Sequence, residues 1–224
     1  MRLSFEKGPE VRFISHLDTH RTFARALRRA GLPVAFTRGF NPHPKIAFAQ
    51  PLAVGATSSS DILDVELESR IDPAELLRRL NSSLPGGFEV TGAKEIPQDA
   101  PSAMSEVAAS EYEARAPITG GGDPQGAALR LLGSPVVIVP ARGGDDRRGP
   151  RDIRPLVLRL SGKREKDAAA FEMLLRSGGG RSVRPDEVLL AVDRMGDGWL
   201  DLDAAVYHRR RLYRASDSGL EPLD

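Results

Sequence analysis

The sequence predicts an α+β protein made of two tandem ferredoxin-like α/β sandwich domains, residues 1–98 and 99–224. Three features predict it. Over the first ~95 residues, apolar periodicity gives the order β-α-β-β-β-α-β, the split β-α-β pattern with one strand added, in which two helices cover one face of an antiparallel sheet. The proline- and alanine-rich run 97–104 (PQDAPSAM) then breaks every period and reads as a domain boundary. Beyond it, a similar order of strands and helices returns without a visible sequence repeat.

Residues 2–6 (RLSFE) and 10–14 (EVRFI) alternate polar and apolar side chains, as a half-buried strand or short hairpin does. Ser15 precedes HLDTHRTFARALRRAG with Asp18 in the place of a capping-box acid and Gly31 just past the last periodic residue, which predicts a helix over 15–30. LPVAFT then reads as a strand, RGFNPHP as a connection, and KIAFA and DILDVELE as two more strands. Pro73 opens the helix PAELLRRLNSSL, which Pro85-Gly86-Gly87 ends before the strand FEVTGAKEI. In the second half, SEVAASEYEARAP, PVVIVPA, RPLVLRLS and AVYHRRRLY read as strands, and PQGAALRLLG and RPDEVLLAV as helices. AFEMLLRS fits either period and is assigned as a strand because GGGRSVRPDE restarts a helix at Pro185. The glycine-rich, mixed-charge loop 143–154 reads as mobile.

The composition, 40% hydrophobic and 28% charged over 224 residues, is that of a globular protein. No apolar run approaches the roughly 18–20 residues of a membrane span, and the N-terminus lacks a secretory apolar region, so a cytoplasmic location is expected. Cysteine is absent, which excludes disulfides, thiolate nucleophiles, cysteine-bound zinc and iron–sulfur clusters held by this sequence alone. The net charge of +1 conceals an asymmetry. Residues 1–60 hold nine Lys/Arg against three acids and the remainder is net −5, so a basic island sits on a mildly acidic protein, as a phosphate-rich ligand would require.

At roughly 100° per residue, helix 15–30 separates into two arcs. His16, Leu17, His20, Phe23, Ala24, Ala26, Leu27 and Ala30 share the apolar side; Arg21, Arg25, Arg28 and Arg29 form a stripe opposite, with Asp18 beside Arg21. Guanidinium groups fork onto phosphate oxygens in two-point contacts, so an arginine stripe suits an anionic ligand. His16 and His20 are one turn apart, a chelating spacing, yet no acid lies between them and only His43 and His208 could join them. No metal site is therefore assigned. His20 reads as a half-buried helix histidine, and His16, in the first helical turn where free N–H groups favour an anion, reads as a ligand contact. In RGFNPHPK, each proline lacks an N–H and forces the residue before it into extended conformations. The segment reads as a stiff ledge presenting Arg38, Asn41, His43 and Lys45, with Gly39 free to take a positive φ.

The run RFISHLDTHRTFARALRRAGLPVAFTRGFNPHPKIAFAQPLAVGATSSSDILDVEL, followed later by LNSSLPGGFEV and RSVRPDEVL, resembles the radical-SAM-linked proteins, the domain of unknown function numbered 2344 (DUF2344). Members stand alone or are fused behind a cobalamin-binding radical SAM enzyme, so the resemblance implies a radical SAM partner, in a setting often near RNA processing. Arg12, Phe13, His16, Leu17, Asp18, Arg21, Arg25, Arg28, Arg29, Gly31, Pro33 and Gly39 to Lys45 match the family pattern. The radical SAM cluster needs three thiolates, which this cysteine-free sequence does not supply.

Three functions fit these residues. The first is a non-catalytic RNA-binding or substrate-presenting accessory protein with no cofactor of its own, whose arginines contact phosphates while Asn41 and His43 read a base edge or a ribose hydroxyl. The second is a metal-independent endoribonuclease of the tandem-ferredoxin type, with His16 or His43 as general acid or base. The third is a docking scaffold whose arginine row meets an acidic patch on the radical SAM protein without nucleic acid.

Overall fold

The computed structural model describes residues 1–140, 149–180, 182–196 and 198–223. The fold is mixed α/β, with five α-helices among the described residues. It divides into two compact units, one of residues 1–107 together with 209–224, the other of residues 108–208.

In the first unit, β1 (Arg2–Lys7) pairs antiparallel with β3 (Ala56–Val65) and with β4 (Phe88–Lys94), and β2 (Ile46–Phe48) pairs antiparallel with β3. The helix α1 (His16–Arg29) follows β1, and α2 (Pro73–Asn81) joins β3 to β4. β10 (Val206–Ser216) lies beside β3 and is followed by β11 (Gly219–Pro222), its antiparallel partner.

The caps form as the sequence dictates. The Ser15 hydroxyl accepts from the Asp18 N–H, the Asp72 carboxylate accepts from the Glu75 N–H, and Gly31 takes a φ of 61° after α1. Amphipathic spacing then turns Phe23, Ala26 and Leu27 inward against Leu3, Phe5, Phe48 and Leu63. Phe5 and Phe23 meet edge to face at 4.8 Å, and Phe48 joins them with centroids 5.6 Å from each ring. Edge-to-face pairs of this kind add about 0.5–1.5 kcal/mol each beyond the area they bury.

Two expected strands differ. EVRFI forms a single 3-10 turn (Pro9–Val11) instead, because the buried Lys7 ammonium donates to the Arg12 and Ile14 carbonyls at 3.4 and 2.9 Å and curls the chain around itself. LPVAFT makes only isolated bridges, Val34 to Leu67 and Phe36 to Pro44, since Pro33 and Pro44 remove the donors a regular ladder needs.

Charged groups are buried in this unit. Arg209, fully shielded, forks onto Asp61 with Nε to Oδ1 and Nη2 to Oδ2 both at 2.8 Å, and Nη2 also donates to the Gln50 carbonyl at 3.0 Å. The Ser58 hydroxyl donates to the same carboxylate at 2.8 Å. A second buried arginine, Arg2, forks onto Asp64 at 2.8 and 3.1 Å, donates to Glu106 at 2.6 Å and reaches the Pro101 carbonyl. Asp64 in turn accepts the Ala103 N–H at 2.7 Å. The proline-rich stretch read as a domain boundary is thereby fastened to β1 and β3, and a short helix, α3 (Ala103–Glu106), follows it.

The second unit is built on the antiparallel order β5 (Val107–Pro117), β9 (Ala168–Arg176), β8 (Val157–Glu165). AFEMLLRS is strand, as its alternating burial requires. The helices α4 (Pro124–Gly133) and α5 (Pro185–Arg194) start at prolines, and a two-residue pair, β6 (Ile138–Val139) with β7 (Arg151–Asp152), stands apart. Trp199 is buried and leaves no space for a Cβ on Gly122 or Gly196. Much of the 143–154 loop lies outside the described residues. No helix among the described residues is long and apolar enough to cross a membrane.

Removing one partner of a buried ion pair leaves the other uncompensated, at a cost of about 3–5 kcal/mol. Asp61→Ala is therefore expected to lower stability by about that amount in urea titrations, while Asp61→Leu with Arg209→Met recovers much of it. A loss below about 1 kcal/mol in the single variant would show that the pair is not what holds β10 to β3.

Candidate functional site

The sequence-predicted site residues all lie in the first unit. Along α1, the arginine stripe is solvent-facing as its spacing requires, but its members differ in what they hold. Arg21 donates to Asp18 at 3.1 Å, and the Ser15 hydroxyl donates to the other carboxylate oxygen at 2.7 Å; these two bonds, Ser15 first, hold the Asp18 carboxyl below its ordinary range. Arg29 donates to the Ser83 carbonyl at the end of α2. In return Arg79 of α2 donates to the Ala30 carbonyl at 2.6 and 3.0 Å and to the Gly31 carbonyl at 2.7 Å. A cation there satisfies orphan carbonyls and opposes the negative end of the helix. Arg25 and Arg28 are exposed and make no hydrogen bond or ion pair among the described residues. The stripe of four thus contains two structural arginines and two whose guanidinium groups are open to a ligand.

The RGFNPHPK segment is the tip of a hairpin arm. Phe36 bridges Pro44, Thr37 N–H donates to the His43 carbonyl at 2.9 Å, and His43 N–H donates to the Thr37 hydroxyl at 3.0 Å. The base is fixed where Lys45 N–H donates to the Ala35 carbonyl at 2.8 Å and Ala35 N–H to the Glu66 carbonyl at 2.9 Å. Gly39, at φ 140°, makes the bend that a side chain would disfavour. Arg38, Asn41 and His43 are all exposed on this arm. Lys45 is placed differently, for its ammonium is held by Glu66 at 2.7 Å. It lines a groove of about 870 Å³ beside the end of β3, where Asp64, Glu66, Glu68 and Glu95 outnumber Lys45, Arg70 and the Met1 ammonium. An anion finds no net attraction there.

His16 is half-buried, its ring edge-on to Phe48 at 5.2 Å, and His20 packs against the same ring at 6.0 Å. Beneath His16 is a cavity of about 10 Å³ bounded also by Lys7, Thr19, Gln50 and Asp61, just enough for one water. Burial, followed by the neighbouring His20, pushes the His16 pKa below the 6.5 of a free histidine. Burial likewise lowers the Lys7 ammonium, with Asp61 acting in the opposite direction. Among the described residues no group of three or more His, Asp or Glu is placed to hold a metal.

Two features escaped sequence reasoning. Leu17, assigned to the buried arc, is exposed, because the arc that packs is centred on Thr19, Phe23, Ala26 and Leu27 and Leu17 falls outside it, beside Arg28. The ion pair between Asp61 and Arg209 joins residues 148 apart; the only sequence signal is an acid in an alternating strand.

His16 favours its neutral form in the folded state, so its contribution to stability is complete above 6.5 and is lost as pH falls through 6.5 toward the lower folded value. His16→Gln should consequently lose less stability than the wild type between pH 7.5 and pH 5.5 in paired urea titrations. Parallel losses in the two proteins would remove His16 as a source of acid sensitivity.

The fold has solved relatives. The chain is similar to a chain of a structure described as a Cbf5-Nop10-Gar1 complex, with a TM-score of 0.51 and 13% identity over 94% of this chain and 48% of the other. It also matches one from an archaeal box H/ACA sRNP Nop10-Cbf5 complex, with a TM-score of 0.45, 10% identity, and 92% and 46% coverage. The chain thus spans about half the length of the solved chains it matches. No curated protein matches the sequence. The sequence profile of the family described as "Uncharacterized protein conserved in bacteria (DUF2344)" matches residues 1–185. With most of its length matched in this way, the chain belongs to the DUF2344 family.

Proposed function

We propose that this protein is a non-catalytic RNA-binding accessory subunit that presents RNA to a radical SAM enzyme. The observation that carries the reading is the set of cations left without protein partners. From residue 19 to residue 60 the sequence contains six Lys/Arg and no acid, and among these Arg25, Arg28 and Arg38 are exposed and unpaired among the described residues. Cations kept clear of carboxylates are free to neutralise phosphates, which supplies the sequence-independent part of nucleic-acid affinity. Asn41 and His43, exposed on the same hairpin as Arg38, offer the donors and acceptors that read a base edge or a ribose hydroxyl.

The radical SAM partner rests on the family resemblance; this sequence has no thiolate for a cluster, so the cluster would belong to the partner. The strand order β4-β1-β3-β2, antiparallel throughout and joined by α1 and α2, supports a ferredoxin-like sandwich for the first unit. A cytoplasmic setting suits such a partnership.

Phosphate neutralisation makes binding salt-dependent, with a slope of roughly 0.7 per contact on single strands. Arg25→Ala with Arg28→Ala is expected to weaken RNA binding in fluorescence anisotropy and to flatten the plot of log affinity against log salt by about one to one and a half. An unchanged slope would remove α1 from the interface, and co-purification of a radical SAM protein without RNA would favour a scaffold.

A further inference from the structure

We propose that the 36–44 hairpin is a base-stacking arm and that the RNA it takes is single-stranded, its unpaired bases lying against Phe40. This rests on the RNA reading above and narrows it to a substrate class.

Phe40 is fully exposed, at 108% of its reference area, beyond Phe13 at 68%, whereas Phe5, Phe23, Phe48, Phe88 and Phe171 are all buried. Holding a phenyl ring in water gives up the stabilisation its burial would bring, so the fold gains nothing from its position. Nor is the ring at the end of a slack loop. The arm is closed by the Phe36–Pro44 bridge and by the two hydrogen bonds between Thr37 and His43. Pro42 and Pro44 fix their own φ and restrict Asn41 and His43, so little conformational entropy is left to lose on binding. Phe36, at 39% exposure, adds apolar surface at the foot of the arm.

The surroundings select the partner. Arg38 stands two residues before Phe40, and no acid occurs between Asp18 and Asp61. A ligand that satisfies both features has a flat π-face and a negative charge within one or two side-chain lengths of it. An unpaired nucleotide has both. In a duplex the base faces are covered by their neighbours, so a stacking arm discriminates in favour of single strands, loops and bulges. Since every base has a π-face, the ring itself supplies affinity without sequence preference, and any reading of base identity falls to Asn41 and His43.

The test compares fluorescein-labelled oligoadenylate with an adenine–uracil duplex of the same length, by anisotropy at fixed salt, for wild type, Phe40→Ala, Phe40→Trp and the Arg25→Ala/Arg28→Ala variant. Phe40→Ala is expected to weaken single-strand binding by about tenfold while leaving the duplex and the urea midpoint unchanged, and Phe40→Trp is expected to restore it. Equal weakening of single strand and duplex, or none of either, overturns the stacking arm. The RNA reading survives that result if the double arginine variant still binds more weakly and with a flatter salt slope. Absence of binding to both RNAs in the wild type overturns the two together.

Discussion

The first unit depends on the buried pairing of Arg209 with Asp61. A strand from near the end of the chain reaches the sheet only if its guanidinium finds a complete set of acceptors there. Asp61 supplies two, and the Gln50 and Pro51 carbonyls add others. Lys7, also buried, takes the Arg12 and Ile14 carbonyls, so the turn before α1, the strand β3 and the strand β10 are set by charges that cannot be left unsatisfied in a dry interior. His16, in the first turn of α1, sits over these groups and has its proton disfavoured by the same burial.

The surface is organised by a division of labour among like residues. Arg29 and Arg79 exchange hydrogen bonds with carbonyls on each other's helices and join α1 to α2. Arg21 and Lys45 are balanced by Asp18 and Glu66. Arg25, Arg28 and Arg38 are what remains, on a stretch of chain that contains no carboxylate. In the groove beside the end of β3 the acids outnumber the cations, whereas the outer face of α1 and the 36–44 arm lie on a stretch of sequence without acids. The proposed RNA surface is accordingly built from protruding parts, which suit an extended polymer more than a small molecule enclosed on all sides.

The solved relatives bear on the fold alone. Membership of DUF2344 fixes which sequences this chain belongs with. The side chains that point to a function are those the fold leaves without an internal purpose, namely the arginines unpaired among the described residues and the outward ring of Phe40. Fold resemblance at 13% identity is compatible with many activities, and sites decide among them.

Local signals carried a large part of the structure. The helix 15–30 was legible because Ser15, Asp18 and Gly31 satisfy its ends from within the segment, and α2, α4 and α5 because proline marks each start. The stiffness of the RGFNPHP connection was legible too, since proline restricts the backbone wherever it stands. The failure of EVRFI to form a strand was not, because the alternation is genuine and is overridden by a lysine that buries its ammonium against carbonyls further along the chain. Which arginines are free was equally hidden: periodicity places a residue on a face, but only the neighbouring helix decides whether a carbonyl is there to receive it. The sequence by itself determined the longer helices, their caps, the pairing of Arg21 with Asp18 and the basic character of the first sixty residues, all properties of near neighbours. Tertiary structure alone decided the pairing of Asp61 with Arg209, the engagement of Arg29 by the Ser83 carbonyl and the choice of Phe48 over Phe40 for the core, because each depends on groups that meet only when distant segments are brought together.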